Sequence, residues 1–175
     1  MNDHLRTALR KSADPIDFID YESDNAIVRA RNRSRGPRGK PPVGFWYSVD
    51  LGWEKWCCES QPDWLHPHTA VLKVDTARFS VLRTKEDVRE FYKKYATAFE
   101  GMHVYSIDWL KVMDDFDGVE MPDFDYGWGL SFDRPGLHWV YGWDCSSGVC
   151  WRPRRNIVVE SFTRTVFSCK ESVAC

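Results

Sequence analysis

A chain of 175 residues with a formal charge of -2 fits one compact unit with a sizeable core, and carries no global attraction to nucleic acid or to an acidic membrane surface. Aromatic residues make up 15% of it, enough bulky apolar material to exclude disorder of the whole. The near-neutral total is a cancellation: Arg29 to Lys40 holds six basic residues and no acid, and Asp114 to Asp125 holds six acids and no base.

No apolar run reaches the ~20 residues of a membrane span, and M-N-D-H-L-R lacks the hydrophobic core of a secretion signal. A cytoplasmic protein without a membrane partner is expected. Cys57, Cys58, Cys145, Cys150, Cys169 and Cys175 are then expected to be mostly reduced. An adjacent pair plus Cys-x4-Cys matches no standard zinc spacing even with His66 and His68 nearby, so no metal is expected.

In chain order, residues 1–25 form a helical or irregular segment, with Leu5, Ala8 and Leu9 at helical spacing until Pro15 stops them. A-I-V-R-A, Ala26 to Ala30, is β-branched enough for a strand and carries Arg29 at its end. Arg31 to Pro42, rich in Arg, Gly and Pro, predicts a surface loop, either a solvated linker or a loop that faces phosphates. Val43 to Val49 predicts a second strand, after which Asp50 caps a helix with Trp53, Trp56 and Cys57 along its buried face. Ser48, at that junction, either faces a ligand or helps to cap the helix.

Two β-rich runs, T-A-V-L-K-V-D and R-F-S-V-L, predict paired strands broken at Asp75 to Ala77. Thr84 then opens the clearest helix, with Asp87 completing a capping box and Glu90 and Lys94 paired on the outer face. After a polar stretch from Ala96 to Tyr105, Ser106 caps a short helix. F-D-G-V-E-M predicts a tight turn feeding a strand in which Glu120 faces away from Val119 and Met121, either as a second acid of a site or as an exposed carboxylate.

Trp139 to Pro153, W-V-Y-G-W-D-C-S-S-G-V-C-W-R-P, sets Asp144 among indoles between Gly142 and Gly148. A carboxyl in such surroundings marks either a site or a hairpin turn whose tryptophans are core. Asn156 to Phe167 predicts a last strand or two. Short strands out of strict alternation with few helices predict an α+β single domain on a mostly antiparallel, split β-sheet, spanning residues 26–167, with 168–175 as a tail.

The order of these motifs resembles the ADP-ribosyltransferase superfamily, PARP-like and toxin-like, over roughly Ala26 to Val158. The family has a first-strand Arg or His that meets the ribose of NAD, a second-strand Ser or Tyr that shapes the nicotinamide pocket, and a late acid. I-V-R-A matches the first with Arg29, and G-F-W-Y-S matches the second with Ser48 beside Tyr47. The acid is Asp144 or Glu120. F-D-G-V-E-M resembles the Y-D-G-I-I strand of such enzymes, and W-D-C-S-S-G-V-C-W-R-P-R-R-N-I their closing stretch.

The resemblance implies an ADP-ribosyltransferase-like fold and a transferase consuming NAD to modify a macromolecular acceptor, protein or nucleic acid. Asp144 would activate the acceptor, Arg29 anchor phosphate or ribose, and Trp46, Tyr47 and Trp143 frame the ring. A stand-alone enzyme of this kind suits a bacterial or phage effector or toxin. Two departures stand: the acid is Asp where the family mostly has Glu, and Gly142 occupies the position of the Glu or Gln of arginine-directed members. The alternatives are a non-enzymatic module gripping single-stranded nucleic acid through the same aromatics and the Arg-rich loop, and a degenerate relative binding NAD without turnover.

Overall fold

In the computed structural model, which describes residues 5–12, 41, 43–99, 102–128 and 138–164, the elements follow in the order β1 (Leu5–Ser12), β2 (Phe45–Val49), α1 (Gly52–Ser60), β3 (His68–Asp75), β4 (Phe79–Val81) and α2 (Lys85–Tyr95). After these come β5 (Ala96–Phe99), β6 (Met102–Ile107), α3 (Trp109–Asp115), β7 (Gly118–Met121), β8 (Ser147–Cys150), α4 (Pro153–Asn156) and β9 (Ile157–Arg164). Seven strands form one sheet in the order β4-β7-β8-β2-β1-β3-β9, and β5 and β6 form a separate antiparallel pair. Within the large sheet only β4 and β7 run parallel. The chain between them passes through α2, β5, β6 and α3, the kind of crossover that a parallel pair requires. The fold is α+β with a mostly antiparallel sheet, as expected.

Strand alternation divides the core between the two faces of the sheet. Val119, Met121, Val149 and Trp151 pack on one face with Val88, Phe91 and Tyr95 of α2, Trp109, Val112 and Met113 of α3, and the buried Trp139 and Trp143. Phe45, Tyr47, Val49, Leu72, Val74 and Cys150 pack on the other.

Helix α2 starts where its sequence says it should: the Thr84 hydroxyl accepts from Asp87 N at 3.1 Å and Asp87 Oδ2 accepts from Thr84 N at 2.9 Å, a reciprocal capping box. Glu90, however, pairs with Lys93, and Lys94 reaches Asp115 on α3 at 3.0 Å, so the expected Glu90–Lys94 pair gives way to a tertiary partner.

Other expectations are corrected. Leu5–Ser12 is a strand lying between β2 and β3, with all eight residues in register with β3; pairing on both sides outweighs three apolar positions at helical spacing. Part of the segment set apart as residues 1–25 thus belongs to the sheet. β3 and β4 do not pair with each other: β3 lies between β1 and β9, while β4 pairs with β7. The polar stretch after α2 is the β5–β6 hairpin, which consumes Ser106 and Ile107, so the cap of α3 is Asp108, whose Oδ1 accepts from Lys111 N. Asp50 does not cap α1: it takes a left-handed φ of 53° and Leu51 stands at the cap. The strand expected over Ala26 to Ala30, with Arg29, and the basic loop from Arg31 to Lys40 lie outside the described residues.

Candidate functional site

The register of three strands places Tyr47, Gly148 and Glu120 in one row across β2, β8 and β7. The Tyr47 hydroxyl passes over Gly148 and donates to Glu120 Oε2 at 2.8 Å, both side chains being buried. Gly148 makes this possible, since a Cβ there would lie 2.3 Å from Tyr47 Oη. Glu120 does face away from Val119 and Met121, as alternation required, yet it is wholly buried and not an exposed strand carboxylate.

Trp46 and Ser48 alternate with Tyr47 along β2, so they lie on the opposite face. There the Trp46 ring meets Trp143 at a centroid distance of 4.9 Å and an interplanar angle of 60°. Trp143 is in turn perpendicular to Trp139 at 6.2 Å. Trp143 is entirely buried, whereas Trp46 keeps part of its surface open. The indole N–H groups of Trp139 and Trp143 are buried without an acceptor among the described residues. Buried donors are seldom left so, and an acceptor from outside the chain is one way to satisfy them.

Asp144 follows Trp143 directly and is half-buried. It stands at the end of the sheet where β8 begins and β2 ends: Ser48 is opposite Ser147, and Val49 N donates to Ser146 O at 3.0 Å. The buried Ser48 hydroxyl donates to Asp50 O at 3.4 Å, tying the strand end to the turn before α1. Helix α1 packs closely on this loop, because a Cβ at Gly52 would lie 2.9 Å from Ser146 O.

The inward side of α1 is not the tryptophan stripe that its spacing suggested. Glu54 and Cys57 are its buried residues, while Trp53 and Trp56 stack at 5.0 Å and are joined from outside by Trp64, 53% exposed. Burial pushes the Cys57 thiol up to about 11, and the charges of Glu54 and Asp144 push it the same way. Two acids therefore gather about one buried thiol, which stays protonated at neutral pH and is no nucleophile.

Of the residues singled out in the sequence, Trp46, Ser48, Trp143 and Asp144 gather at this end of β2 and β8. Tyr47 and Glu120 form a separate buried pair on the other face, so Tyr47 does not help Trp46 and Trp143 to frame a ring. Glu54 escaped notice; its spacing of three from Cys57 was the available signal, masked by the stronger aromatic pattern beside it. Cys58 is disulfide-bonded, an exception to the expectation of mostly reduced thiols, while Cys57, Cys145 and Cys150 stand outside any disulfide. No helix among the described residues is long and apolar enough to cross a membrane. No family model, no curated protein and no solved structure matches the chain.

Proposed function

We propose that the chain is an NAD-dependent ADP-ribosyltransferase that moves ADP-ribose from NAD to a macromolecular acceptor. The observation that carries this is the meeting of Asp144, Ser48 and the Trp46–Trp143 pair at one end of β2 and β8. A half-buried carboxyl that directly follows a tryptophan packed on a second, partly exposed one suits a ribose joined to a flat cationic ring: the acid offsets positive charge that grows on the sugar, and the aromatic face receives the ring. Trp46 supplies that face, with Trp143 as its backing. Glu54, itself buried, and the half-buried Asp144 both act on the Cys57 thiol.

In the reaction the bond between ribose C1′ and the nicotinamide nitrogen breaks, and its electron pair leaves with nicotinamide. The acceptor's nucleophilic atom forms the new bond to C1′, and Asp144 takes the proton that atom gives up. Ser48, held against Asp50 O, positions the strand end beneath the ribose. Arg29, on sequence grounds, anchors phosphate or ribose. Glu120, enclosed with Tyr47, supports the sheet from the far face.

The test is incubation of the purified chain with labelled NAD and a cell extract. Label enters macromolecular material and nicotinamide is released; Asp144→Ala lowers both rates by about 100-fold, the scale of losing one charge-stabilising group, while its thermal midpoint stays within about 2 °C of the parent. Absence of both transfer and NAD cleavage, or a variant as active as the parent, removes the proposal.

A further inference from the structure

At the opposite end of β8 from Asp144, about 10 Å along the strand, three arginines surround one aspartate. Asp117, only 2% exposed, accepts from Arg78 Nε at 3.2 Å and from Asn156 Nδ2 at 3.3 Å. Arg152 Nε lies 3.4 Å from its Oδ1 and Arg155 Nη1 3.7 Å from its Oδ2. The backbone locks the group together: Asp117 N donates to Arg78 O at 2.9 Å, Trp151 N donates to Asp117 O at 3.1 Å, and Asn156 Nδ2 donates to Arg152 O at 2.9 Å.

A structural staple needs one cation for one carboxylate, as Arg83–Asp123 and Lys94–Asp115 show elsewhere in this fold. Here, among the described residues, three guanidinium groups share one carboxylate, two more than a single pair requires. The side chains of Arg78, Arg152 and Arg155 are 53%, 40% and 57% exposed, so each is partly open to solvent while the buried aspartate orients it, although Arg152 Nε itself is buried. Planar guanidiniums match phosphate oxygens in pairs, and orienting them beforehand lowers the entropy lost on binding. An open, half-exposed group does not enclose a small ion; it suits a ligand that brings several phosphates in a row.

We infer that this arginine cluster is a docking site for the phosphodiester backbone of a polynucleotide, taken as a single strand. It is independent of the NAD proposal, since binding is read without NAD. The experiment is fluorescence anisotropy of a labelled 20-residue thymidine oligonucleotide with the full chain from 50 to 200 mM salt. It compares the parent with Arg155→Gln, which leaves the closer Arg78 and Asn156 contacts to Asp117 in place, and with Arg78→Gln/Arg155→Gln. Each arginine removed lowers the slope of log affinity against log salt by about 0.7, and the double variant binds at least about tenfold more weakly at 50 mM salt. No binding by the parent, or unchanged slope and affinity in the folded single variant, overturns the inference. So does loss on Trp64→Ala alone, which would put the strand on the indoles, or equal competition by inorganic phosphate, which would mark a site for isolated anions.

Discussion

Replacing Gly148 by alanine probes the row on which β2, β8 and β7 are registered. The new methyl carbon would lie 2.3 Å from both Cζ and Oη of Tyr47, and the ring cannot swing aside because it is buried among Phe45, Val49 and Leu72 of its cluster with its hydroxyl bonded to Glu120. Overpacking of this kind costs about 1–3 kcal/mol, and displacing the hydroxyl from the buried carboxyl costs about 1–3 kcal/mol more. Alanine restricts the unfolded chain and returns about 0.4–1 kcal/mol. The net loss is about 2–5 kcal/mol, a large part of the ~5–15 kcal/mol available to a domain, and lowers the thermal midpoint by about 10 °C at this chain length. Urea unfolding at neutral pH measures it, paired with Gly148→Ala in a Tyr47→Ala background, where the clash is gone and the second substitution costs less than about 0.5 kcal/mol. A single variant within 0.5 kcal/mol of the parent, or the same penalty in both backgrounds, would refute the argument that the glycine exists to let the tyrosine pass.

Because the Cys57 thiol is pushed up to about 11 and ionises near its ordinary ~8.5 once unfolded, its protonated form supports the fold below that pH and the support is lost as pH rises toward 11; urea midpoints from pH 8 to 11 fall more steeply for the parent than for Cys57→Ala, and equal slopes would contradict this. Thr84→Ala removes half of the capping box and costs about 1 kcal/mol, or about 3 °C in thermal midpoint. Burial alone would raise the Asp87 carboxyl, but hydrogen bonds from Thr84 and from Arg83 N–H hold it below the usual carboxylate range. Its stabilisation is therefore present above about pH 4 and lost below, and the gap between parent and Thr84→Ala narrows from pH 7 to pH 3. A gap that widens would show that Asp87 has no part in the cap.

Where a local rule has no tertiary competitor, the sequence predicted structure closely. The Thr84 cap, the F-D-G-V-E-M strand and the alternation of Glu120 against Val119 and Met121 each depend on contacts within a few residues, and each stands as expected. Where long-range pairing competes, local signals misled. Leu5–Ser12 became a strand because two neighbours were waiting for its backbone, and α1 turned Glu54 and Cys57 inward while its tryptophans found Trp64 on the outside. The meeting of Trp46 with Trp143 needed a return of the chain across nearly a hundred positions, so no local rule joins them, and only the resemblance in motif order sets them at one ring.

The acidic run from Asp114 to Asp125 draws the division most clearly. Its composition alone determined that six acids are concentrated there and that Asp117–Gly118 makes a turn into a strand. Their fates were decided in three dimensions: Asp115 meets Lys94, Asp123 meets Arg83, Glu120 is enclosed with Tyr47, and Asp117 is buried under three arginines drawn from two distant turns. Charge is a property of each residue and is legible in the chain. The field each charge feels depends on which segments lie within a few ångströms, and only the pairing of β4, β7, β8 and β2 and the approach of α2 to α3 bring those segments together.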